Sequence, residues 1–214
     1  MKLKAKQIVC ISTMLLSLLF NTGCDSGGDG DGGVSGDIGD NNPNLVACVG
    51  DSLTEGYSCD GAPYPSRLSG MISKNVSNYG VGGKKSNEGI SMVKSALASK
   101  PAYVCIMFGS NDAIHGVDAG VVAENIRAMI HACKNNKSIP IVATIPVMVG
   151  EHEIFNAAGE RISNAIIQVA NEEGVALANV RASFGDGAGL LNSDGLHLTE
   201  EGGTKLAQCF AAKF

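Results

Sequence analysis

Leu45-Val46-Ala47-Cys48-Val49 runs without a polar interruption into Gly50-Asp51-Ser52-Leu53-Thr54. A strand covered on one face alternates apolar and polar residues, whereas one covered on both faces does not. The first five residues therefore predict a central parallel strand. The next five place a serine in the turn directly after it. Comparable runs follow at Tyr103–Phe108, Ile141–Ile145 and Val175–Val180, with a short, weaker strand at Asn75–Asn78.

Helical periodicity fills the gaps. Val121, Val122, Ile126, Met129, Ile130 and Cys133 recur at three- and four-residue steps behind Asp118, a good capping residue. Ile162, Ile166, Ile167 and Ala170 form a second stripe. Thr199 precedes a third, with Leu206, Cys209 and Phe210 facing inward and Glu200 and Glu201 near the positive end of the helix. Strands alternating with helices predict an α/β fold, a parallel sheet with a helical layer on each face. Ligands of such sheets bind beyond the carboxyl ends of the strands.

Polar motifs sit at those ends. Gly50-Asp51-Ser52 follows the first strand, and a serine held in a strand-to-helix turn is exposed for attack once a base takes its proton. It is not the Gly-x-Ser-x-Gly elbow, because Thr54 stands at the last glycine position; a helix-capping serine fits Gly-Asp-Ser equally well. Asn78 to Lys85 forms a Gly-rich loop. It fails the dinucleotide pattern at Lys85 and the P-loop pattern at Asn78 and Lys85, leaving a bare backbone able to offer an amide N–H. Asn111, after the third strand, carries a side-chain donor. Near the carboxyl terminus, Asp194 lies three residues before His197, close enough to fix the tautomer of the imidazole.

In this order the four blocks resemble the GDSL/SGNH hydrolase family, and the likeness spans Leu45 to Phe214. It implies a flavodoxin-like three-layer α/β/α domain over 44–214, with a five-stranded parallel sheet in the order 2-1-3-4-5. It further implies Ser52 as nucleophile, His197 as base and then acid, and Asp194 as its orienting partner. The oxyanion hole would comprise the Ser52 N–H, Gly83 (by its spacing from Asn78) and Asn111. Neither a metal nor another cofactor is implied, and the four histidines lack metal-ligand spacing. The substrate expected is a small-molecule, lipid or sugar ester: a short acyl ester, an acetylated sugar or a lysophospholipid. Acyl transfer would use the same residues, and a non-catalytic surface lipoprotein using the fold as a binding module is the rival from another class. His152 and Phe155 lie in a segment that shapes the substrate pocket in this family, and His115 follows the Asn111 block. His131 lies off the stripe of its helix and is expected to face solvent.

The amino terminus reads as an address. Lys2, Lys4 and Lys6 precede an apolar run from Ile8 to Phe20, which is too short for a stable bilayer span and matches a signal segment over residues 1–23. Asn21-Thr22-Gly23-Cys24 resembles a lipobox, departing from it at Asn21 where Leu is usual, and implies a lipid on Cys24; ordinary secretion is the alternative. Residues 24–43 are mostly Gly, Asp, Ser and Asn and are expected to form a flexible tether. These features predict export to the bacterial cell envelope, periplasmic or surface-exposed. The net charge of −5 disfavours nucleic acid as a partner. Of the seven cysteines, Cys48 and Cys105 sit in apolar runs and read as core, while Cys59, in a loop, is the candidate for disulfide pairing.

Overall fold

The computed structural model describes residues 34–59 and 61–214. Five strands, β1 (Asn42–Gly50), β2 (Asn75–Gly80), β3 (Pro101–Met107), β4 (Ile139–Ala143) and β5 (Ala176–Ala178), form one sheet in the order β2-β1-β3-β4-β5. Every neighbouring pair is parallel. The apolar runs are buried on both faces, and successive residues serve opposite cores. Ala47, Val49, Val104, Ile106 and Val142 pack into one. Val46, Cys48, Cys105, Met107 and Ile141 pack into the other.

The first core is closed by α3 (Ser86–Leu97), the short α4 (Ser110–Ile114), α5 (Ala119–Asn135) and α6 (Asn156–Glu173). The second is closed by α1 (Ser52–Glu55), α2 (Tyr64–Ile72), α7 (Val180–Phe184) and α8 (Glu200–Ala211). The capping residues act as their chemistry predicts. Asp118 accepts the Gly120 N–H at the start of α5, and Thr199 accepts that of Gly202 at the start of α8.

The structure differs from the sequence reading in several places. Val121, placed on the apolar stripe of α5, is 51% exposed because Val122 takes the inward position one residue later. Val180 begins α7 instead of ending β5, where the Asn179 side chain accepts the Ala182 N–H and starts a helix. Cys209 is only partly buried on α8. Residues 34–43, assigned to the tether, lie against the domain, and β1 starts at Asn42. The Val34 N–H donates to Lys213 O, Asp37 pairs with Lys137, and the Asn41 amide donates to Asn136 O. These polar contacts order a segment that has little apolar surface. The signal segment and Cys24 lie outside the described residues.

Strand order reverses between β1 and β3, so the loops leaving their carboxyl ends diverge and open a crevice.

Candidate active site

Ser52 stands at the first position of α1, one residue beyond the Asp51 cap, and is 8% exposed. Asp51 Oδ1 accepts the Leu53 N–H at 3.0 Å, which fixes the turn. Gly50 is required for space: a Cβ there would overlap Thr54 Oγ1 and lie 2.6 Å from Met107 O. The Ser52 N–H has no acceptor within the helix, as for any first-turn residue.

The loop after α7 brings the other two groups. Leu191 and Leu198 pair as an antiparallel bridge, and the Asn192 N–H donates to His197 O at 2.7 Å. Between them Asp194 Oδ1 accepts the N–H groups of Leu196 and His197. Asp194 Oδ2 lies 2.6 Å from His197 Nδ1, and His197 Nε2 lies 3.1 Å from Ser52 Oγ. The carboxylate can only accept at neutral pH, so Nδ1 carries the proton and Nε2 is left to accept from the serine hydroxyl. Burial works against ionisation of Asp194. The Leu196 N–H, the His197 ring and the His197 N–H outweigh it and bring the carboxyl down to about 2.

The Gly-rich loop and the Asn111 block flank this line. The Val81 N–H donates to Gly50 O, and the Asn78 side chain donates to Thr54 O while accepting the Gly80 N–H. The Gly83 N–H makes no hydrogen bond to any described residue. Asn111 Nδ2 donates to Lys84 O at 3.0 Å and lies 3.4 Å from Asp51 Oδ2. One of its N–H groups therefore holds the Gly-rich loop, and the other is only weakly engaged. Asp112 fastens the same loop by accepting from both the N–H and the hydroxyl of Ser86. Asp51 itself is fully buried, which pushes its carboxyl up to about 7; the Leu53 N–H opposes that rise and the Asp112 charge adds to it.

Ser52, Gly83, Asn111, Asp194 and His197 thus converge at the carboxyl edge of β1, β2 and β3. Further residues border this cluster. His152 Nδ1 donates to the backbone oxygen of Asp194 at 2.8 Å, so it grips the loop. The Val149 N–H donates to Gly195 O at 2.9 Å beside it. Gly195 has φ +73, and a Cβ there would run into Val149 O, so only glycine fits. Phe155 packs near the His152 ring, and His115 Nδ1 binds Asn111 O. The ring of Tyr57 lies 4.9 Å from that of His197. His131 lies outside the site, bonded to Glu173 at the surface. Cys59 Sγ approaches the Thr199 and Ala62 carbonyl oxygens. Among the described residues no cluster of three or more His, Cys, Asp or Glu is arranged to hold a metal ion.

A serine, an imidazole and a carboxylate in line can move the hydroxyl proton away as oxygen attacks a carbonyl carbon, and nearby N–H groups can receive the charge that builds.

The chain is similar to known proteins. An acetylxylan esterase of Xylanibacter ruminicola is 26% identical over 203 residues, a match covering 78% of this chain and 42% of that protein; the chain therefore spans less than half the length of that relative. A lipase/acylhydrolase from Enterococcus faecalis superposes with a TM-score of 0.71 at 22% identity, over 79% of this chain and 94% of that one. An acetylxylan esterase from Geobacillus stearothermophilus gives 0.69 at 19% identity, over 81% and 94%. The model of the GDSL-like lipase/acylhydrolase family matches residues 48–204, from the first strand through the Asp194–His197 loop into the last helix, and the chain belongs to that family.

Proposed function

We propose that this protein hydrolyses carboxylic esters through an acyl-enzyme on Ser52. The observation that carries the reading is the unbroken line from Asp194 Oδ2 through both nitrogens of His197 to Ser52 Oγ. In the first half-reaction Ser52 Oγ bonds to the ester carbon as its proton passes to His197 Nε2. The carbonyl oxygen becomes an oxyanion, held by the N–H groups of Ser52 and Gly83 and by Asn111 Nδ2. The carbon–oxygen bond to the alcohol then breaks, and the alcohol leaves with the proton from Nε2. Water repeats the sequence in reverse, giving the carboxylic acid and free Ser52. Asp194 remains ionised throughout and stabilises the imidazolium.

For the substrate we favour an acetyl ester of a sugar, on the ground that two similar proteins are acetylxylan esterases. A fluorophosphonate probe tests the chemistry. Wild type is expected to label and Ser52→Ala not to; labelling that survives in Ser52→Ala would sink the assignment. A series of nitrophenyl esters from acetate to palmitate tests the acyl class, with acetate expected to be fastest.

The basic and apolar segments before Asn21-Thr22-Gly23-Cys24 support attachment to the cell envelope through a lipid on Cys24. Labelled palmitate should enter the wild-type chain in a bacterial host and be absent from Cys24→Ser. Equal incorporation in both would end that proposal.

A further inference from the structure

Tyr57 is 59% exposed, although its ring packs edge to face with the His197 imidazole at a centroid distance of 4.9 Å. An aromatic ring so open to water is one of few large apolar groups left uncovered among the described residues. Its place is fixed from two sides. The Tyr57 N–H donates to Ser52 O at 3.0 Å, which ties it to the helix that carries the nucleophile. The next residue, Ser58, accepts from Asn192 Nδ2 through its carbonyl oxygen, which ties it to the loop that carries His197. Ser58 itself is held at φ 52, a backbone region that residues other than Gly, Asn and Asp seldom occupy. The ring is thus pre-positioned, with one edge on the imidazole and much of its surface in solvent.

Reaction geometry says what that surface meets. The departing oxygen must take its proton from His197 Nε2, so it comes within about 3 Å of that atom. The carbon skeleton of the alcohol, one or two bonds further on, then lies beside the imidazole. The acyl carbonyl points instead toward Gly83 and Asn111. We propose that Tyr57 is the platform of the leaving-group subsite, and that it selects esters whose alcohol carries a ring with a flat face, either a pyranose or an aryl group. The C–H face of a pyranose and the face of a phenol both pack well on a tyrosine ring, while a small open-chain alcohol has nothing to lay against it. This inference rests on the acyl-enzyme reading of Ser52.

The test is a comparison of selectivity. Wild type, Tyr57→Phe and Tyr57→Ala are assayed on methyl acetate, phenyl acetate and an acetylated methyl pyranoside, which share one acyl group and differ in the alcohol. The kcat/KM of each ring ester is divided by that of methyl acetate in the same protein, so that losses common to all substrates cancel. In Tyr57→Ala this ratio is expected to fall about fivefold for a ring alcohol, the size expected for one lost stacking contact, and Tyr57→Phe is expected to restore it. A fall for the pyranoside alone identifies a sugar platform, and a fall for both ring esters a general one. An unchanged ratio, with all three esters slowed alike or none slowed, overturns the proposal, because the ring would then only steady the imidazole. Labelling of Ser52 by fluorophosphonate in the same variants keeps the two readings apart. If Tyr57→Ala still labels while the ratio stays flat, the platform fails and the acyl-enzyme stands.

Discussion

His152 donates from Nδ1 to the backbone oxygen of Asp194, not to its carboxylate, and so acts on where the Asp194–His197 loop sits. Its loss should leave ester binding nearly intact while misplacing the imidazole. His152→Ala is expected to lower kcat about tenfold, corresponding to ~1.4 kcal/mol of barrier, with KM little changed. Asparagine presents a donor at nearly the same place as imidazole Nδ1, so His152→Asn should recover most of the rate. A rise in KM without loss of kcat in the alanine variant would instead make His152 a substrate contact. At this scale the candidate residues stand out in the sequence because their contacts are local: Gly50-Asp51-Ser52 is one turn, and Asp194 reaches His197 within one loop. His152 and Tyr57 could not be assigned in the same way. Their partners are 42 and 140 positions away in the chain, and a lone His or Tyr in a loop carries no mark of what it will touch.

At the scale of elements, α5 and α6 are joined by a charge network on their outer faces. Glu173 is its centre, bonded to Arg127 Nη1 at 3.0 Å, to Lys134 Nζ at 2.9 Å and to His131 Nε2 at 2.9 Å. Lys134 first, then Arg127 and His131, draw the Glu173 carboxyl down to about 2, from an ordinary 4.5. The lowered value means that the folded state holds this proton less tightly than the unfolded chain. The stabilisation is therefore present in full above pH 4.5 and is lost as pH falls toward 2. Glu173→Gln is expected to lower Tm at pH 6 by about 3 °C, the scale of roughly 1 kcal/mol in a domain of this size. That difference should shrink steadily when melting is repeated at pH 4 and pH 3. A difference independent of pH would show that packing, not charge, is at stake. The helices with a long apolar stripe, α5, α6 and α8, were readable from periodicity. In contrast, α2 and α3 are absent from the sequence reading: α2 is only nine residues long and carries Pro65 in its first turn, and Gly89 interrupts the apolar spacing of α3. The Val121 error is of another kind: Val122 lies four residues before Ile126 and Val121 five, so helical spacing turns only the second of the two valines inward.

For the whole molecule, the unbroken apolar runs of β1 and β3 were enough to predict a sheet covered on both faces. Strand order came from the resemblance that the four motif blocks carry, because hydrophobic patterning specifies which residues are buried but not which strands are neighbours. The boundary of the domain was the least legible feature. Residues 34–41 are poor in apolar side chains, and they pack through amide and carboxylate contacts that composition does not reveal.

One of those contacts has a geometric result. The N–H of Val34 meets the carbonyl oxygen of Lys213, and Phe214 packs on Tyr103 near the start of β3. Both ends of the described domain are thus gathered at the amino edge of the sheet, the far side from Ser52. A support that grips either of these ends, whether a resin or a fused partner, takes hold of the back of the domain and leaves the crevice that holds Ser52 turned outward.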